Sequence, residues 1–222
     1  MRPKIKLCGL TRMEDVQMCI HYGADIVGVV VEYPKPVPWN VSVDTAKELL
    51  SAVYKPTESC IVVGGSKENI KQIALAIRPD YVQLHYRETL DDTAYLVRAL
   101  NKYGIRIIKT LFPDVADLEK NAKAFCHAGV YALLLDPRTP ERIVESGPAD
   151  LALFRLVQNA VHCPVILAGG IIPDNVVQMI NSSRAQIIDV MTGIENAAGN
   201  KDEKKVDALF RAINESHFNV NN

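Results

Sequence analysis

Lys4-Ile5-Lys6-Leu7-Cys8-Gly9-Leu10-Thr11 reads as a short strand that delivers a thiol at its C-terminal end, and the pattern it begins recurs along the whole chain. Alternation puts Lys4, Lys6 and Cys8 on one face and Ile5 and Leu7 on the other. The apolar face is expected to pack on helices. Cys8 then lies on the opposite face, where loops begin, with a route to a substrate that a core cysteine lacks. A buried structural thiol is the competing reading of the same position.

Thr11 reads as an N-cap for a helix over residues 12–22, which carries Met13, Val16, Cys19 and Ile20 at helical spacing and ends at Gly23. Residues 24–31 (ADIVGVVV) form the continuous apolar run of a parallel strand covered on both faces. Three prolines in 33–40 (YPKPVPWN) then forbid regular structure and mark a stiffened loop. Further strands are expected near 59–63, 81–85, 106–112, 130–136, 163–168 and 185–191. Helices are expected over 43–53, after Ser42, and over 67–77, 89–102, 115–127, 149–160, 174–182 and 202–216. Eight strands in strict alternation with helices predict an α/β fold, a (β/α)8 TIM barrel filling residues 1–222 as one domain; an open doubly wound sheet is the alternative.

Composition narrows the function. The 222 residues are 48% hydrophobic and 23% charged, with a formal net charge of −1, so neither a nucleic-acid partner nor a membrane partner is indicated. A small-molecule substrate is the better expectation. Cys8, Cys19, Cys60, Cys126 and Cys163 are odd in number and widely spaced, which fits a reducing compartment and gives no pairing or zinc signal. His21, His85, His127, His162 and His217 show no metal-ligand spacing. Arg2 and Lys4 are not followed by an apolar core of signal-peptide length, so the expected location is cytoplasmic. Nothing in the sequence sets an oligomeric state.

In such a barrel the reactive groups sit on the loops that follow the strands. Polar residues there are Cys8, Glu32, His85, Lys109, Asp136, Asp189 and Thr192, each of which has an ordinary structural reading when taken alone. Glycines follow the last two strands, in 168–175 (AGGIIPDN) and 191–194 (MTGI). Backbone N–H groups around Gly169, Gly170, Thr192 and Gly193 are therefore candidates to hold a phosphate, helped by the helix N-termini that follow.

With 6–11 (KLCGLT), Glu14-Asp15, 23–28 (GADIVG), 33–35 (YPK), 82–85 (VQLH), 134–136 (LLD), 168–175, 188–195 (IDVMTGIE) and 199–202 (GNKD), the chain resembles the phosphoribosylanthranilate isomerase family over nearly its whole length. The resemblance implies an Amadori rearrangement of an aminoaldose phosphate to an aminoketose phosphate in tryptophan biosynthesis, with no metal or organic cofactor. It implies Cys8 as general base and Asp136 as general acid, roles that suit a thiolate and a carboxyl group of raised pKa. His85 and Asp189 fall with the substrate-binding and phosphate-binding residues.

Two stretches depart from the family pattern. Members usually carry an arginine after the second strand that pairs with the anthranilate carboxylate, and 35–40 (KPVPWN) has none. The segment after the sixth strand, 140–148 (PERIVESGP), lacks the usual paired glycines. Lys35, Arg138 and Arg142 are the candidate replacements, with Arg138 favoured because it lies two residues past Asp136; alternatively Trp39 stacks on a different amine substituent. Two kinds of function therefore stay open: an isomerase for phosphoribosylanthranilate or a related aminosugar phosphate, and a barrel that binds a sugar phosphate for regulation without turning it over.

Overall fold

The computed structural model describes residues 2–143, 145 and 147–218, with the side chains of 217 and 218 excepted. Positions 144 and 146 of the altered loop, both ends of the 1–222 span and the side chain of His217 lie outside the described residues.

Alternation and continuous apolar runs produce eight barrel strands, named here β1 (Lys4–Leu7), β2 (Ile26–Val31), β3 (Glu58–Val63), β4 (Tyr81–Leu84), β5 (Arg106–Leu111), β6 (Ala132–Leu135), β7 (Val165–Ala168) and β8 (Ile187–Val190). Each pairs in parallel with the next, and β1 pairs with both β2 and β8, which closes the sheet into a barrel. The helices are α1 (Met13–His21), α2 (Val43–Leu50), α3 (Lys67–Ile77), α4 (Leu90–Asn101), α5 (Leu118–His127), α6 (Leu151–Ala160), α7 (Val176–Ser183) and α8 (Glu203–Phe218). Among the described residues, no helix is long and apolar enough to cross a membrane.

Strand parity decides what faces the site. Ile5, Leu7, Val27, Val29, Val82, Leu133, Leu167 and Ile188 point outward into the layer between sheet and helices. Ile26, Cys60, Tyr81, Ile108, Leu134, Ile166 and Ile187 fill the barrel interior. Lys6, Cys8, Gln83, His85, Thr110, Asp136 and Asp189 share the interior parity nearer the C-terminal rim, so the polar groups converge at one end. This is the end at which barrels of this kind present their loops.

Ser42 caps α2 as expected, its hydroxyl accepting from the Thr45 N–H at 3.1 Å. Three expectations need correction. Thr11 does not cap α1: the cap position is Arg12, without a side-chain bond, and the Thr11 hydroxyl donates instead to the Gly199 carbonyl at 2.8 Å. The proline-rich loop ends in a two-residue strand, Asn40–Val41, that pairs with β2; its prolines lie before the paired residues, so no ladder bond is lost. Cys126 and Cys163 pair as a disulfide with Cα atoms 6.0 Å apart, across a separation of 37 residues that carries no local motif.

Candidate active site

Two cavities adjoin at the rim. The first is lined by Cys8, Val30, Tyr33, Val37, Trp39, Val62, Gln83, His85, Asp136, Arg138, Ile143, Asp189 and Met191. Its walls are mostly apolar with a few converging polar groups, the make-up of a small-molecule site. The second is lined by Gly147, Gly169, Gly170, Ile171, Val190, Thr192 and Gly193, and shares Arg138, Asp189 and Met191 with the first. Arg138, Asp189 and Met191 therefore stand where the two cavities adjoin.

Cys8 follows β1 and is buried, as are Lys6 below it and Asp189 on the neighbouring strand. Lys6 Nζ donates to Asp189 Oδ2 at 2.9 Å. Glycine at position 28 keeps room for this group, since a Cβ there would stand 2.9 Å from Cys8 Sγ and 3.5 Å from Lys6 Nζ. Burial pushes the Cys8 thiol above its ordinary pKa, while the Lys6 ammonium pulls it back. Burial also disfavours the charged Lys6, but Asp189 and the nearby thiols outweigh it and hold the ammonium well above the usual lysine value.

Across the cavity, Asp136 follows β6 with both oxygens occupied. Oδ1 accepts from the Arg138 backbone N–H at 2.9 Å and from Arg138 Nε at 3.1 Å; Oδ2 accepts from Arg138 Nη2 at 2.9 Å and faces His85 Nε2 at 3.1 Å. Burial alone would raise the Asp136 pKa, yet the Arg138 charge and the two hydrogen-bonding partners hold it well below the usual carboxylate range. His85 is steadied from behind, its carbonyl accepting from the Tyr33 hydroxyl at 2.7 Å. Trp39 forms part of the wall because its indole N–H donates to Glu195 Oε1 at 3.0 Å, and Lys201 Nζ holds the same oxygen at 2.7 Å.

Four glycines, Gly147, Gly169, Gly170 and Gly193, line the second cavity. Gly169 and Gly170 adopt positive φ of 104° and 61°, and the Asn175 side chain fixes the turn by accepting from Ile172 N–H at 2.9 Å and donating to Gly170 O at 2.8 Å. Gly193 approaches so closely that a Cβ there would lie 1.8 Å from Ile171 O. The segment Thr192–Ile194 is a short 3-10 turn.

The sequence candidates thus divide. Cys8, His85, Asp136, Arg138 and Asp189 meet at the first cavity, and Gly169, Gly170, Thr192 and Gly193 at the second. Glu32 is exposed and lines neither, and Lys35 lines neither. Arg142 is exposed and paired with Glu145. Lys109 faces away from the site: it has the outward parity of Ile107 and Leu111, and its ammonium donates to Glu88 Oε2 at 2.6 Å near the Phe125 ring of α5. Lys6 and Gly28 are the contributors that sequence reasoning passed over, although the strand alternation that singled out Cys8 put Lys6 on the same face. Among the described residues, no cluster of three or more His, Cys, Asp or Glu is arranged to hold a metal ion.

The sequence model of the family described as N-(5'phosphoribosyl)anthranilate (PRA) isomerase matches residues 5–212. An N-(5'-phosphoribosyl)anthranilate isomerase of Methanocaldococcus jannaschii is 32% identical over 219 residues, covering 95% of this chain and 96% of its own length. The Acinetobacter calcoaceticus protein of that name is 31% identical over 215 residues, covering 96% and 97%. The crystal structure of phosphoribosyl anthranilate isomerase from Thermotoga maritima superposes with a TM-score of 0.82 at 25% identity, over 96% of this chain and 99% of that one. A family match across nearly the whole chain, on a closed barrel whose rim gathers a thiol, a carboxylate and a glycine-lined cavity, means that the chain belongs to the phosphoribosylanthranilate isomerase family.

Proposed function

We propose that the protein is a phosphoribosylanthranilate isomerase of tryptophan biosynthesis, working in the cytoplasm as one barrel domain on a phosphorylated aminosugar. The observation that carries this reading is that Cys8 and Asp136 line one cavity, which adjoins the glycine-lined one. The phosphate rests on backbone N–H groups around Gly169, Gly170, Thr192 and Gly193, and the aromatic ring lies between Trp39, Val30 and Val62. Asp136 gives a proton to the ring oxygen as the bond from that oxygen to the anomeric carbon breaks, leaving an iminium. The Cys8 thiolate, supported by Lys6, removes the proton from the next carbon and forms an enaminol. That intermediate gains a proton at the former anomeric carbon and loses one from its hydroxyl, so the product is an aminoketose isomeric with the substrate.

One observation favours the second reading, binding without turnover: Asp136 is held ionised by Arg138 and His85, and an ionised carboxylate has no proton to give. Complementation of a strain lacking the isomerase, with the product ketone followed by carbon NMR in purified protein, separates the two. Growth and a new ketone signal support the enzyme. Tight binding with neither supports the regulatory barrel.

A further inference from the structure

The geometry points to Arg138 as a substrate-operated latch: a carboxylate on the substrate draws its guanidinium off Asp136, and only then does Asp136 take up the proton it donates. This rests on the isomerase reading above and adds what starts the chemistry and which substrates start it.

Four observations lead there. First, among the described residues, Arg138 is the single arginine or lysine lining either cavity. The proline-rich loop brings Trp39 to the wall instead of a cation, and Arg142 is engaged with Glu145 at the surface. Second, Arg138 covers Asp136 from the cavity side, its side chain 14% exposed against 2% for the carboxylate. Third, among the described residues its remaining terminal nitrogen, Nη1, has only Met191 Sδ at 3.6 Å, and Met191 belongs to both cavities. Fourth, the Arg138 backbone N–H holds Asp136 Oδ1 at 2.9 Å independently of the guanidinium, so the carboxyl group keeps its aim when the side chain leaves.

The exchange is feasible because it trades one carboxylate for another. A mostly buried guanidinium that lost Asp136 and gained nothing would be an uncompensated charge, which is strongly disfavoured. A substrate carboxylate offers the same two parallel hydrogen bonds, so the cost of removal is offset by replacement. Asp136, still buried but without its counter-charge, then binds one proton from solvent on Oδ2, beside His85. The proton passes to the ring oxygen when the ring opens. A ligand with a bare phenyl ring leaves the latch closed.

Calorimetric titration in buffers of different ionisation heat tests this at neutral pH, using an unreactive reduced N-(2-carboxyphenyl)aminoketose phosphate and its N-phenyl counterpart. The expected result is uptake of about one proton with the first ligand beyond that with the second. The difference should vanish in Asp136→Asn, and Arg138→Ala should weaken the carboxylate ligand by about tenfold or more, toward the N-phenyl one. Equal uptake for both ligands, uptake that survives Asp136→Asn, or failure of the carboxylate ligand to bind overturns the latch. Turnover without differential uptake removes the latch and keeps the isomerase; differential uptake without turnover does the reverse.

Discussion

The Lys6 ammonium lies 2.9 Å from the Asp189 carboxylate inside the barrel, with their side chains 0% and 6% exposed, and it sits two residues before Cys8 on the same face of β1. The pair therefore acts on the thiol from below in opposite senses, Lys6 favouring the thiolate and Asp189 opposing it. Its partners are paired in strand register as well, Lys6 standing opposite Asp189 in the β1–β8 ladder.

Removing one member leaves a buried charge without its counter-ion. Lys6→Met is expected to cost about 3–5 kcal/mol of stability, with part of it recovered in Lys6→Met/Asp189→Leu, as read from denaturant midpoints. In the single variant, alkylation of Cys8 should need a higher pH than in the wild type. An unchanged alkylation profile would remove Lys6 from the support of the thiolate.

Asp136 links stability to pH. Its folded-state pKa is depressed, so it contributes stability above its unfolded value of about 3.9, and that contribution is lost as the pH falls below this toward the lower folded value. Melting temperatures followed from pH 6 down to pH 2 should decline less steeply in Asp136→Asn than in the wild type. A parallel decline would mean that Arg138 does not stabilise the carboxylate in solution.

The barrel was legible because every barrel strand announces itself by alternation or by an unbroken apolar run, and the β1 parity that put Ile5 and Leu7 outward is the parity observed. The rim residues followed from the fold, since Cys8, Asp136 and Asp189 stand on interior positions at or just past the ends of their strands. What sequence could not give is direction at strands where polar residues sit on both faces. Lys109 resembled a rim residue, yet one residue of register sends it under α5 to Glu88. Pairings between distant segments, such as Cys126 with Cys163 or Thr11 with Gly199, carry no local signature at all. The place of Arg138 near the chemistry was foreseeable from its short tether to Asp136; its closure over both carboxylate oxygens depends on loop conformation and was not.

On the proposed mechanism, loss of either Cys8 or Asp136 should spare the fold and stop the reaction. Cys8→Ala and Asp136→Asn are each expected to lower turnover by about 100-fold or more, with a far-ultraviolet dichroism spectrum like that of the wild type. If Cys8 were only a packed core residue, Cys8→Ala would show a modest loss of stability and an unchanged rate, which is the outcome that would exclude it from the mechanism.

The proposed anion site makes a prediction that is graded by geometry. At Gly193 a Cβ would fall 1.8 Å from the carbonyl oxygen of Ile171, and because the clash is with backbone, the 3-10 turn must move and carry its N–H groups with it. At Gly170 the obstacle is milder: φ is +61°, which an L-residue adopts at a cost of about 1–2 kcal/mol, and the nearest atom to an added Cβ is Pro148 Cα at 3.0 Å. Gly147 lines the same cavity with no positive φ, and a Cβ there meets only Pro137 at 3.7 Å, an ordinary contact. Inorganic phosphate affinity should therefore fall most in Gly193→Ala, less in Gly170→Ala and little in Gly147→Ala. Cys8 alkylation serves as the control for an intact first cavity. Equal affinities across the three variants, each shown to be folded, would move the phosphate away from the loops that follow β7 and β8.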